Sequence, residues 1–192
     1  MLWPSAHILG FVEDRSTYPA AGIIAYDPAW TTRYDEVAAQ LAEATGGWHA
    51  EHIGSTSVPG LAAKPVIDIA VCVPQGRHAH DRTAELLAAG WTKPASIGSH
   101  DCCFLLVDDV RTAIAHFFPE AHWDTAHQRL FAQWLREHPS DRDVYAALKI
   151  RLHQDRTWGR AYTRGKTAFI QRIVDKARAQ HDLPPIPIWD KD

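Results

Sequence analysis

Residues 65–73, Pro-Val-Ile-Asp-Ile-Ala-Val-Cys-Val, are apolar except at Asp68. A run this uniformly apolar suits a strand covered on both faces rather than a half-exposed one. A lone carboxylate inside it is expensive to bury without a partner. The cost falls if Asp68 sits at a strand end facing a metal, a cation or a cleft; the bland alternative is a carboxylate that caps a neighbouring loop or pairs with Lys64 or an arginine. Just upstream, Glu51-His52-Ile53 runs into Gly54-Ser55, where backbone amides can face outward, and then into a Pro- and Gly-rich turn that leads to Lys64. Outward amides and Lys64 suit an anion, and Asp68 suits a hard cation such as Mg2+. Together these are parts of a nucleotide phosphate site, packed between Gly54 and Asp68.

The rest of the chain reads as a mixed set of strands and helices. Residues 23–26 (Ile-Ile-Ala-Tyr) suggest a short strand. Asp27-Pro28 marks a helix start, with Asp27 as N-cap and Pro28 at the first helical position. Apolar spacing through Trp30, Tyr34, Val37, Ala38 and Leu41 carries that helix to a stop at Gly46-Gly47. Strands are expected at 48–53 and 66–73. An amphipathic helix follows at 77–89 with Leu86 and Leu87 inward, then an irregular or edge segment at 91–98. Residues 102–107 and 110–118 flank Asp108-Asp109 and predict a hairpin. Helices follow at 123–137, from Pro139 or Ser140 through Tyr145, Leu148, Ile150 and Leu152, and at 158–179. With strands first and helices later, the fold class is α+β, a mixed sheet with flanking helices. Residues 1–21 form a variable arm, 22–180 one domain, and 181–192 a Pro-rich tail whose Trp189 suggests that it lies against something.

Two global properties narrow the partners. A net charge of −3 over 192 residues, without a basic stripe, argues against a nucleic-acid partner. No run is long or apolar enough to cross a bilayer, and three cysteines make no disulfide framework, so a reducing cytoplasm is the expected compartment. The expected partner is a small-molecule or nucleotide ligand. Twelve histidines raise a transition-metal reading through His78-Ala79-His80 or through His116, His122 and His127. No zinc-type spacing supports it, and Cys102-Cys103 has no matching pair.

The segment from Gly54 to Ile69, Gly-Ser-Thr-Ser-Val-Pro-Gly-Leu-Ala-Ala-Lys-Pro-Val-Ile-Asp-Ile, resembles the signature of the GrpB family. Residues 23–30, residues 131–149 with Trp134-Leu135-Arg136 and Tyr145-Ala-Ala-Leu-Lys149, and Tyr162-Thr163 with Lys166-Thr167 resemble other parts of it. The likeness spans about residues 22–178. It implies the nucleotidyltransferase superfamily fold, shared with polymerase-β-like and aminoglycoside-modifying enzymes. It also implies a phosphate-contacting Gly-Ser turn, with carboxylates on a strand about a dozen residues later. In some bacteria the domain is fused to dephospho-CoA kinase. This chain carries no kinase P-loop.

Transfer chemistry in that superfamily uses two carboxylates at alternate strand positions, which point to one face and hold Mg2+. Asp68 fits the first, with 12 residues between it and Ser55, but Ala70 stands at the second. Glu51 on the preceding strand and His116 on the later one are candidates to share its work. Their bland readings are a structural ion pair for Glu51 and a hydrogen-bonded core imidazole for His116. Phosphate contacts are expected from Gly54, Ser55, Thr56, Ser57 and Lys64, and from Lys149, Tyr162 and Lys166 on the late helices. Turn-making, capping or simple solvation are the alternatives for these. Three functions stay open: a nucleotidyltransferase-like protein that takes ATP or another nucleotide with Mg2+ at Asp68 and transfers to, or activates, a small acceptor; a degenerate ligand- or partner-binding module; and a non-nucleotide enzyme built on Glu51 and His116.

Overall fold

The computed structural model describes residues 18–157 and 159–188. The expected helix start at Trp158, the tail's Trp189 and residues 1–17 of the arm lie outside them. The helices are α1 (Ala29–Thr45), α2 (Thr83–Ala88), α3 (His127–Glu137), α4 (Pro139–Gln154) and α5 (Gly159–Gln180). The strands are β1 (Ala50–Ile53), β2 (Ile67–Val73), β3 (Ala95–Ile97), β4 (His100–Val107) and β5 (Val110–Pro119). They form one sheet in the order β1-β2-β5-β4-β3. The β2–β5 pair is parallel, and the other three pairs are antiparallel. This is the mixed α+β architecture that the residue pattern predicts.

The alternation along β2 assigns the two faces. Ile67, Ile69, Val71 and Val73 join Ala113, Ala115, Phe117 and Cys103 in a core closed by Trp30 and Leu41 of α1, Leu86 of α2, and Trp91. The other face carries Asp68 and Ala70 on β2, with Ile114 and His116 as their β5 partners. There Ile53, Ala70 and Phe118 pack against Ala126 and Ala132. A third cluster, with Val58, Leu61, Leu135, Tyr145, Phe169 and Ile173, binds α3, α4 and α5 to the turn after β1. The late helices thus close over one end of the Asp68 face.

Local signals explain most boundaries. The Asp27 carboxylate accepts from the Ala29 amide at 2.9 Å, so Asp27 caps α1 from just ahead of Pro28. Gly46 takes φ 76° and the Gly47 amide returns to the Ala42 carbonyl at 2.7 Å, which closes the helix end. The β4–β5 turn places both Asp108 and Asp109 at positive φ, as a tight two-residue hairpin needs.

Several expectations change. Residues 23–26 make a single bridge, Ile24 to Ala63, because Pro65 follows two residues later and has no amide to extend the ladder. Leu87 is 52% exposed; α2 is only six residues long and turns Leu86 alone inward. The helix expected from residue 123 begins at His127, since the Trp123 carbonyl is held by the Arg129 guanidinium at 2.7 Å in the preceding turn. On α4 the buried positions are Tyr145 and Lys149, four apart, while Ile150 points outward. The tail segment runs along α5. The Gln171 amide bonds both the Ile186 carbonyl (2.8 Å) and the Ile188 amide (3.0 Å), and Arg178 donates to the Pro184 carbonyl at 2.6 Å. Among the described residues no helix is long and apolar enough to cross a membrane.

Two imidazoles are folded in neutral form. His52 stacks on Tyr34 at 4.7 Å and bonds Thr56 Oγ1 at 3.0 Å. Burial pushes it down to about 4, against the pull of Asp68. Burial also pushes His127 to about 4, and Arg178 and His116 add to the shift. An unfolded imidazole takes its proton near pH 6.5. Between about 6.5 and 4 the unfolded chain therefore binds protons that the folded one refuses, and stability falls as pH falls. The urea midpoint should drop between pH 7.5 and pH 4.5, and His127→Gln or His52→Gln should each flatten part of that slope. A slope unchanged in both variants would exclude this origin.

Candidate functional site

The site is built where β1 ends against β2. Gly54 leaves the strand at φ 68°, ψ −170°, a backbone conformation open essentially to glycine alone. A Cβ at this position would collide with the Asp68 carboxylate and stand 2.7 Å from its Cβ. The backbone of the Gly-Ser turn therefore lies directly against Asp68. Ser55–Ser57 then form one 3-10 turn. Thr56 is buried, and its hydroxyl donates to the Val66 carbonyl at 3.2 Å. Ser57 Oγ donates to the Gly54 carbonyl at 2.8 Å. These two side chains brace the turn and stand outside the cavity lining.

Ser55 faces inward. Its Oγ accepts from Lys149 Nζ at 2.9 Å, and Tyr145 also hydrogen-bonds it. Lys149 donates in addition to the Ala62 carbonyl. Only 2% of Lys149 is exposed. Burial holds its amine well below the ordinary lysine range, and Lys166 adds to the shift while Asp68 opposes it.

Around Ser55, Asp68 and Lys149 lies a cavity of about 160 Å³, lined also by Tyr18, Lys64, Tyr162 and Lys166. Lys64 Nζ sits 4.6 Å from the Tyr18 ring centroid and 4.4 Å from that of Tyr162, and Lys166 Nζ lies 4.4 Å from the Tyr162 ring. The Tyr18 hydroxyl accepts from Arg111 at 2.8 Å, and the Arg111 guanidinium stacks on Phe104 at 3.9 Å. Among the described residues three lysines and one carboxylate thus line one small cleft with two tyrosines at its wall.

Of the expected catalytic residues, His116 stands beside Asp68, with Nε2 3.8 Å from Oδ1. Its Nδ1 is 2.9 Å from His100 Nε2, so a carboxylate–imidazole–imidazole chain runs along the sheet face. Glu51 is placed elsewhere. Arg129 holds it at 2.7 and 2.8 Å, and Arg136 stands 3.9 Å away. It is absent from the cavity lining and makes the ion pair of its bland reading. Ala70 is fully buried among Ile53, Phe118, Ala126 and Ala132. A carboxylate at that position would lie beneath α3 rather than in solvent.

The donor set does not fit a resident pair of Mg2+ ions. Among the described residues Asp68 is the one carboxylate of the cavity, and three lysines share the lining. Among the described residues no three His, Cys, Asp or Glu side chains are placed to share a metal ion. His80 faces Asp101 at 3.4 Å, and the His78 amide donates to Asp81 at 2.9 Å, away from the cleft. Sequence reading missed Tyr18, Arg111, Tyr145 and His100. Tyr18 lay in the arm, Tyr145 and Arg111 read as helix and strand core, and nothing near His100 in sequence points to His116.

Similarity to known proteins bears on the family and the fold. The family model described as GrpB protein matches residues 21–176. A UPF0157 protein of Pseudomonas aeruginosa is 35% identical over 175 residues, covering 85% of this chain and 70% of the relative. A UPF0157 protein of Deinococcus radiodurans is 34% identical over 159 residues, covering 81% of each chain. The crystal structure of GrpB from Enterococcus faecalis superposes with a TM-score of 0.70 at 28% identity, over 83% of this chain and 98% of that one. The Cid1 poly(U) polymerase superposes with a TM-score of 0.53 at 12% identity, over 71% of this chain and 46% of that one, a likeness of fold.

The contact between Gly54 and Asp68 is testable. Gly54→Ala should cost roughly 2–4 kcal/mol of stability through collision and a strained backbone. In an Asp68→Gly background the collision part should vanish and the cost should fall without reaching zero. An equal cost in both backgrounds, measured by urea unfolding, would refute the close approach.

Proposed function

The chain belongs to the GrpB family, and we propose that its cleft binds a nucleotide or another phosphorylated small molecule, with lysines rather than a metal pair meeting the phosphate. The observation that carries this reading is the cavity lining, three lysines with a single carboxylate around the Ser55 hydroxyl. A cleft lined mostly by one sign of charge concentrates ligands of the other sign. Lys64 and Lys166 lie on the Tyr162 ring at the cavity wall and would meet phosphate oxygens there. Ser55 Oγ, already fixed by Lys149 and Tyr145, would present its hydroxyl from the floor. The fold supports the same ligand class, since the Cid1 polymerase that it resembles was solved bound to MgATP.

Asp68 would act as a proton acceptor toward a hydroxyl of the bound molecule, with His116 behind it at 3.8 Å. Two-metal nucleotidyl transfer finds less support, because Ala70 is buried where the second carboxylate would be needed. The reading is therefore a binding protein or a metal-independent enzyme on a nucleotidyltransferase-like fold.

Thermal melts with ATP, UTP and pyrophosphate, each with and without Mg2+, test it. A ligand at about 100 times its Kd should add roughly 2.7 kcal/mol. The shift should persist in EDTA, weaken about tenfold in affinity for Lys64→Ala or Lys166→Ala, and be kept or strengthened in Asp68→Asn, which removes a repelling charge. Binding that requires Mg2+ and is lost in Asp68→Asn would restore the metal-based mechanism. No shift with any phosphate compound would refute the phosphate site itself.

A further inference from the structure

Lys149 is the residue whose surroundings a simple phosphate clamp does not explain. Lysine is almost never fully buried unless paired with a carboxylate. The two groups that accept from its Nζ, Ser55 Oγ and the Ala62 carbonyl, are both uncharged. The titratable groups around it come from four places: Lys64 ahead of β2, Asp68 on β2, Tyr145 on its own helix with its ring centroid 4.8 Å from Nζ, and Tyr162 and Lys166 on α5. Lys166 disfavours a second positive charge, burial disfavours it more, and Asp68 alone favours it. A cation meant only to hold phosphate is better kept at the cavity wall, as Lys64 and Lys166 are. An amine kept on the cavity floor, bonded only to neutral acceptors, is suited to nucleophilic work.

We infer that Lys149 is a nucleophilic amine placed to form an imine with an aldehyde or ketone that carries a phosphate. The inference rests on the phosphate-binding reading above for the second half of the ligand. Lys64 and Lys166 would hold the phosphate at the wall, and the carbonyl carbon would then meet Lys149 Nζ at the floor. The nitrogen lone pair forms the N–C bond, and the carbonyl oxygen takes the proton that the nitrogen gives up, leaving a carbinolamine. Its hydroxyl then takes a proton and departs as water, which breaks the C–O bond and leaves the protonated imine. Asp68 is the group that can carry those protons, and the Ser55 hydroxyl with Tyr145 behind it can bond the carbinolamine oxygen. Amine and carbonyl are consumed, imine and water are formed, and no oxidant or metal is required.

The test uses the whole chain with pyridoxal 5′-phosphate, an aldehyde and a phosphate in one planar molecule, followed by borohydride reduction and peptide mapping. At pH 7 the reduced adduct should form on Lys149 at least about tenfold faster than on the average exposed lysine, the gain expected for each unit by which an amine's pKa is lowered. Pyridoxal without the phosphate should label Lys149 more slowly, and inorganic pyrophosphate should protect it. Lys149→Met should lose that adduct alone. Equal labelling of Lys149 by both aldehydes, with no protection by pyrophosphate, would keep the nucleophile and remove the phosphate site. A melting shift with pyrophosphate, together with adducts on Lys64, Lys166 or exposed lysines but none on Lys149, would keep the phosphate site and overturn the inference.

Discussion

The contact between the Asp68 carboxylate and the backbone of Gly54 is the constraint on which the rest of the site depends. A carboxylate near the start of an interior strand has to find space, and here the space is the missing side chain of Gly54. That requirement sets the sharp exit of β1 and the 3-10 turn behind it. The turn in turn presents Ser55 to α4, where Lys149 and Tyr145 reach it. One close approach between two adjacent strands thus fixes how a helix nearly a hundred residues later must dock. The cluster of Val58, Leu61, Leu135, Tyr145, Phe169 and Ile173 supplies the apolar contact that keeps it docked.

The same packing leaves no open space for an acidic side chain at position 70. Position 70 lies under α3, in contact with an apolar cluster. A carboxylate there would need the helix to move or a cation to enter an apolar layer, which is costly. The absence of a second acidic residue is therefore consistent with the way α3 is seated. Glu51 and the α3 arginines belong to that seating. Arg129 and Arg136 tie α3 to β1 through the Glu51 carboxylate, and Arg136 also donates to the His52 and Ser57 carbonyls at 2.6 and 3.1 Å. Glu51, which its place on the preceding strand offers as a catalytic partner, is used to anchor the helix that covers Ala70.

Much of the fold was legible because its signals are local. The apolar run at β2, the Asp108-Asp109 hairpin and the Gly46-Gly47 stop each depend on a few adjacent residues, and each is where the sequence places it. The region of the site was legible too, because Gly54, Ser55, Lys64 and Asp68 fall close together in the chain. What was not legible depends on partners far apart. Nothing in residues 48–53 says that Glu51 meets Arg129, 78 positions on. Lys149 reads as a phosphate contact or a solvated helix position, and only the docking of α4 shows it buried on Ser55 and the Ala62 carbonyl. His100 becomes a partner of His116 only through the β4–β5 register, which puts Cys102 opposite His116 and His100 two residues further along the same face. Periodicity gives faces of elements, and only packing says which faces meet.

Tyr18 forms part of the cavity wall, held there by Arg111 and flanked by Lys64. It precedes the stretch that matches the family model, residues 21–176. The shared core therefore ends short of one wall of its own cleft, and the missing panel is supplied by chain that the core does not dictate. Two proteins with the same core and different leading segments would offer visiting molecules different entrances. In such a design the leading segment can reshape one wall of the cleft while the floor of Ser55 and Lys149 stays as it is.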